Sequence, residues 1–199
     1  MFLGLGVTAL FADNIKERES CFKQAFDKIK LQDFTGAIQD FSKVIELDPK
    51  DADAYYNRGN AKLNLQDFTG AIRDYSKAIE LNPKDIWVYY ARGTAKFYLQ
   101  DFTGAIQDYS KAIELNPENE WAYCGRGTAK LSLQDATGAI QDFNKAIALI
   151  PKDAGVYYLR GLAKEKLKDT WGALEDLRKA EKLGYTKAYE EIQRIQKGN

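Results

Sequence analysis

A step of 34 residues limits this chain more than any other property. Leu65–Pro83 reads LQDFTGAIRDYSKAIELNP and returns nearly unchanged as Leu99–Pro117 and Leu31–Pro49. A looser copy fills Leu133–Pro151, and a fifth, from Leu167, has lost the closing proline. Asp33, Asp67, Asp101, Asp135 and Asp169 keep the step, as do Pro49, Pro83, Pro117 and Pro151. Such a period marks a solenoid, in which each unit buries its apolar face against its neighbours. Length alone suggests one or two globular domains; the repeat replaces that expectation with one stacked array.

Composition narrows the function. Lys and Arg total 29, as do Asp and Glu, so the formal charge is zero. A nucleic-acid binder carries a basic excess or stripe, so no nucleic-acid partner is expected. The chain has no histidine, which removes the commonest general base and metal ligand. Its two cysteines, Cys21 and Cys124, stand three repeats apart, too far for a disulfide, and no CxxC zinc motif occurs. Neither phosphate-loop pattern, GxGxxG or GxxxxGK[ST], is present. No catalytic residue, cofactor or metal ligand is therefore assigned, and no enzyme is expected.

Met1–Ala12 is apolar, uncharged and too short to span a bilayer. Three readings stay open: a remnant signal or anchor, an apolar arm packing on the array or on another subunit, or a frayed tail. Residues 1–13 are accordingly set apart as an N-terminal arm. Weak membrane association through residues 1–12 goes with the first reading, and self-association with the second. The compartment expected is the cytoplasm, with export or membrane tethering as the alternative.

From Asn14 the pattern is helical. Each unit holds two amphipathic helices, A and B. Helix A is opened by a polar cap at Asp51, Asp85, Asn119 and Asp153, and covers Ala52–Leu65 in the second unit. Asp67 then caps helix B, Phe68–Leu81, which Asn82-Pro83 ends because proline has no N–H to continue it. Gly59, Gly93, Gly127 and Gly161 on helix A, with Ala71, Ala105, Ala139 and Ala173 on helix B, are expected where the helices approach closely. A larger side chain at such a glycine is expected to overpack the contact.

These residues resemble the tetratricopeptide repeat family, whose 34-residue unit carries an aromatic, a glycine, A-x3-F and a closing proline. Tyr55, Gly59, Ala71, Tyr75, Ala78 and Pro83 match, as do their equivalents 34 and 68 residues on. The fifth unit matches at Tyr157, Gly161, Ala173 and Ala180, and the first has Cys21 and Ala25 in the aromatic and glycine places. The resemblance implies an all-α, right-handed superhelical solenoid of five helix-turn-helix units. Their bounds are 18–51, 52–85, 86–119, 120–153 and 154–187. Thr186–Lys197 reads as a C-terminal capping helix, with 188–199 its end and tail.

The chain departs from the family at two columns. Arg58, Arg92, Arg126 and Arg160 precede the glycine, and Lys62, Lys96, Lys130 and Lys164 follow it. Asp40, Asp74, Asp108, Asp142 and Asp176 form a third column on helix B. These columns suggest ladders of exposed ion pairs between neighbouring units, worth about 0–1 kcal/mol each; the alternative is a row that binds anions.

The resemblance further implies that helix A lines a concave groove for peptides or a partner helix. The inward places hold Asp53, Tyr56, Asn57 and Asn60, then Trp87, Tyr90, Ala91 and Thr94. Next come Trp121, Cys124, Gly125 and Thr128, and last Gly155, Tyr158, Leu159 and Leu162. They vary between units while helix B barely does, as a binding face on a constant scaffold should. The binding residues expected are Tyr56, Asn57, Asn60, Trp87, Tyr90, Thr94, Trp121, Cys124, Thr128 and Tyr158. Members that clamp the acidic C-terminal tails of heat-shock chaperones use Lys, Asn and Arg; here Phe22, Phe26, Asn57, Trp87 and Ala91 stand there, so such tails are not expected. The function expected is a non-catalytic interaction scaffold or assembly module; the alternative is a self-associating structural protein.

Overall fold

A computed structural model describes the backbone of residues 3–197 and the side chains from Asp13 to Lys197. The side chains of Met1–Ala12, on which the signal and arm readings turn, lie outside the described residues. The described residues form eleven α-helices and no strand. The A helices are α1 (Leu3–Lys30), α3 (Ala52–Asn64), α5 (Ile86–Tyr98), α7 (Glu120–Ser132) and α9 (Ala154–Lys166). The B helices are α2 (Phe34–Leu47), α4 (Phe68–Leu81), α6 (Phe102–Leu115), α8 (Ala136–Leu149) and α10 (Thr170–Lys182). Last comes α11 (Lys187–Lys197). The chain divides into two compact units, one up to Ala95 and one from Lys96.

The start of the chain differs from the sequence expectation. The backbone of α1 runs unbroken from Leu3, so the first helix does not begin near Asn14. Nothing in the run GLGVTALFADN interposes a proline or another stop to end it. Among the described residues no helix is long and apolar enough to cross a membrane.

Helix ends reflect capping chemistry. Every B helix opens on an aspartate, Asp33, Asp67, Asp101, Asp135 or Asp169, whose carboxylate accepts the N–H of the glycine three residues on. On the A helices the side-chain oxygens of Asp51 and Asn119 accept the N–H of Ala54 and Ala122, Asp153 accepts those of Gly155 and Val156, and Asp85 accepts the Trp87 N–H at 2.9 Å. The A-to-B turn places Gln32, Gln66, Gln100, Gln134 and Lys168 in the left-handed region, with φ of 60–64°. There the next N–H reaches back to the carbonyl five residues earlier, as Asp67 does to Lys62 at 2.9 Å. Glycine is the usual residue at that position, and these side chains accept the backbone cost to close the turn.

In the first unit Tyr75, Ala71 and Ala78 of α4 pack with Val88, Ala91 and Ala95 of α5, and Phe41 of α2 packs with Ala25 and Ala61. In the second, Phe143 packs with Ala139, Val156 and Ala163, and Leu177 with Ala188, Ile192 and Ile195 of α11. The last cluster explains α11: its three apolar residues cover the end of α10 while Glu190 and Arg194 stay exposed.

The glycine column has a reason more specific than the expected Gly–Ala approach. A methyl placed on Gly59 would lie 2.6 Å from Tyr75 Cε1, and one on Gly127 2.8 Å from Phe143 Cε1. On Gly161 it would lie 3.0 Å from Leu177 Cγ. Each glycine therefore makes room for the large B-helix side chain sixteen residues ahead.

Candidate functional site

The charged columns do not form exposed ladders between neighbouring units. Arg58 Nε and Nη2 donate to the two oxygens of Asp74 at 2.9 and 2.8 Å, and Lys62 Nζ stands 2.7 Å from the same carboxylate. All three belong to one helix pair, α3 and α4, and Asp74 is only 2 % exposed. Arg126 and Lys130 hold Asp142 in the same way, and Arg160 and Lys164 hold Asp176. Only the remaining nitrogen reaches the preceding B helix: Arg58 Nη1 donates to Ser42, Arg126 to Ser110 and Arg160 to Asn144. Tyr55, Tyr123 and Tyr157 lie against their guanidinium groups at 5.4–5.7 Å. A sixteen-residue offset spans one A–B turn, which is why the pair closes within the hairpin. The first pair lacks the arginine: Gln24 stands in its place, and Asp40 meets Lys28 alone at 2.7 Å.

With those charges spent on structure, the variable A-helix places remain. On the first compact unit, α3 carries Tyr56, Asn57 and Asn60. The Tyr56 ring leans on Tyr75 at 6.1 Å, and Asn60 accepts the Tyr75 hydroxyl at 2.9 Å, so both also support the core. Burial pushes the Tyr75 phenol well above its usual range, which keeps it a donor. Asn57 turns back to the Asp53 carbonyl at 2.8 Å. On α5, Trp87 is 47 % exposed, Tyr90 is half-buried, and Thr94 bonds the Tyr90 carbonyl at 3.0 Å. Ala91, another expected inward residue, is buried in the core.

On the second unit, α7 carries Trp121, 50 % exposed, with Cys124 and Thr128 on the next turns. Burial pushes the Cys124 thiol up to about 11, with Asp153 adding to the shift, so it stays a neutral packing group rather than a nucleophile. Thr128 bonds the Cys124 carbonyl at 2.8 Å. Gly125 is half-buried and stands against the Tyr109 ring, where a methyl would lie 2.7 Å from Cζ. Tyr158 on α9 stacks on Tyr185 at 4.7 Å. Beside it, Leu131 and Leu162 line a slot of about 420 Å³ with Glu165, Glu191 and Arg194. Arg194 donates to Glu165 at 2.6 Å across it.

Of the ten expected residues, then, Trp87 and Trp121 offer the largest accessible apolar surface. Tyr56, Asn60, Cys124 and Tyr158 divide themselves between surface and core. Sequence reasoning takes the columns as exposed ion pairs between neighbouring units and misses that the carboxylates are buried within one hairpin, although the constant offset between the Arg and Asp columns is a usable signal.

Family models described as tetratricopeptide repeat match residues 52–85 and 122–153, and one described as TPR repeat matches 28–66 and 93–134. No curated protein sequence matches the chain. Among solved structures, a crystal structure of MamA protein is 26 % identical with a TM-score of 0.79, covering 87 % of this chain and 95 % of that one. A MamA fragment from Desulfovibrio magneticus RS-1 is 18 % identical with a TM-score of 0.81, covering 85 % and 96 %. YrrB, described as a TPR protein with an unusual peptide-binding site, is 22 % identical with a TM-score of 0.77, covering 92 % and 97 %. The latter two likenesses concern the fold alone.

Proposed function

Because the chain belongs to the tetratricopeptide repeat family, whose members are generally non-catalytic protein-interaction scaffolds, we propose that it holds a partner protein on its A-helix faces. The array is read as five units, 18–51 to 154–187, closed by α11. The partner enters as an extended peptide or as a helix. Trp87, Tyr90, Thr94, Tyr56, Asn57 and Asn60 receive it on the first compact unit, and Trp121, Cys124, Thr128 and Tyr158 on the second.

The observation that carries this reading is the half exposure of Trp87 and Trp121, at 47 % and 50 %. Tryptophan is the residue type most enriched among interface anchors, and these two keep half their area free to be covered by a partner. Amide and hydroxyl groups beside them can satisfy a bound backbone. Acidic chaperone tails do not suit this face. Phe22 and Phe26 pack edge-on against Phe41, and Ala91 is buried, so the clamp places present no cation.

Changing Trp87 and Tyr90 to alanine together is expected to reduce partner recovery from native lysate at least roughly tenfold, as loss of a hot-spot pair does. The variant should keep its helical circular dichroism. Unchanged recovery of the same partners would remove this face from the account.

A further inference from the structure

A second surface lies between α9 and α10, and it does not depend on the A-helix face. The two are separated on α9 itself: Tyr157 and Arg160 line the furrow, Leu162 and Glu165 line the slot on the other side, and Tyr158 lies against Tyr185. The furrow encloses about 480 Å³. Its α10 wall is a single helical stripe of Trp171, Glu175, Arg178, Lys179 and Lys182.

An equivalent furrow lies between α7 and α8, enclosing about 650 Å³ and lined by Tyr123, Arg126, Gln141, Asn144, Lys145 and Ala148. The cavity itself is therefore a by-product of pairing an A helix with a B helix. What distinguishes the last one is its rim. Trp171 replaces Thr69, Thr103 and Thr137; Arg178 replaces Ser76, Ser110 and Asn144; Lys182 replaces Glu80, Glu114 and Ala148.

The changes at 178 and 182 undo structural roles that earlier units keep. Glu80 and Glu114 pair with Lys77 and Lys111 at 2.8 and 2.7 Å. With lysine at 182 that partner is gone, and Lys179 lies over the Tyr157 ring instead, 6.0 Å from its centre. Ser76, Ser110 and Asn144 accept a bond from the arginine of the next A helix. Arg178 cannot accept one, and Arg194 of α11, which continues the arginine column, donates to Glu165 and Glu191 instead. Among the described residues neither Arg178 nor Lys182 has an ion pair. Trp171 is 76 % exposed, more than any other described aromatic side chain. Four cations and two carboxylates line the furrow, and Asp176 is already held by Arg160 and Lys164.

We propose that this furrow docks an acidic peptide that carries one apolar side chain. Arg178, Lys179 and Lys182 receive the carboxylates, and Trp171 with Tyr157 covers the apolar group. Charge complementarity selects the peptide and speeds its encounter, while the exposed indole supplies the anchor.

The test uses the full chain and a fluorescein-labelled decapeptide of Glu and Asp with one central Leu, read by anisotropy. Saturable binding is expected, weakening steeply with added salt, while the matching lysine peptide does not bind. Arg178→Ser with Lys182→Glu restores residues that α4 and α6 carry, so the fold is expected to persist by circular dichroism. Its binding should fall at least roughly tenfold. Trp171→Thr should weaken binding, and Trp87→Ala with Tyr90→Ala should leave it unchanged. Any of four results overturns the proposal: no saturable binding, equal binding by the Arg178/Lys182 variant, loss in the Trp87/Tyr90 variant, or tighter binding of a single-stranded oligonucleotide than of the peptide.

Discussion

Arg126→Met is expected to destabilise the protein by about 3 kcal/mol, the low end of the loss caused by removing one partner of a buried ion pair. Asp142 is 3 % exposed, and Arg126 supplies two of its three cationic contacts, at 3.0 and 2.6 Å. After the change Lys130, at 2.8 Å, holds the carboxylate alone. The second Asp142 oxygen is then left in the interior without its donor, and an unsatisfied buried acceptor is expensive. Methionine keeps most of the stem's volume, so the effect is one of charge rather than of packing. Adding Asp142→Leu and Lys130→Met should recover most of the loss, because replacing all three members leaves no stranded charge. Urea denaturation of the two variants checks this. A single-variant shift under about 1 kcal/mol would return the pair to the class of surface salt bridges.

Gly127→Leu is expected to cost about 1–3 kcal/mol, and more if the A and B helices must separate. The first added carbon would already sit 2.8 Å from Phe143 Cε1, and Phe143 is fully buried with no room to swing aside. Sister positions suggest how the clash is relieved. At Gly161 the facing side chain is Leu177, and the same carbon would stand 3.0 Å away. Gly127→Ala combined with Phe143→Leu should therefore cost less than the two single changes summed, with a coupling of about 0.5–3 kcal/mol. Additive midpoints would mean that the two positions do not share one packing contact.

The period makes most of the fold readable. An aspartate and a proline alone bound helix B at Phe68–Leu81, and those are its observed ends. The aspartate caps and α11 are legible for the same reason: each answers a local demand for hydrogen-bond partners or for apolar cover. The Arg, Lys and Asp columns, read for their charge, belong on the surface, and the structure buries the aspartates. That burial depends on how one hairpin closes on itself, which spacing along a single helix does not reveal. Gly125 and Ala91 likewise count as inward by their place in the unit. Tyr109 stands against the first, and the α4–α5 core takes up the second. The rim of the α9–α10 furrow is visible in the sequence as three departures from the repeat, but only the structure puts Trp171, Arg178 and Lys182 on one wall.

A photo-crosslinking amino acid placed at 87 or 121 tests the proposed grip most directly, with the same group at 107 and 141, exposed B-helix positions, for comparison. Irradiation in native lysate should join positions 87 and 121 to a common partner polypeptide and leave 107 and 141 unlinked. Linkage at the B-helix positions alone, or at none of the four, would contradict the A-helix faces as the place where this protein holds another chain.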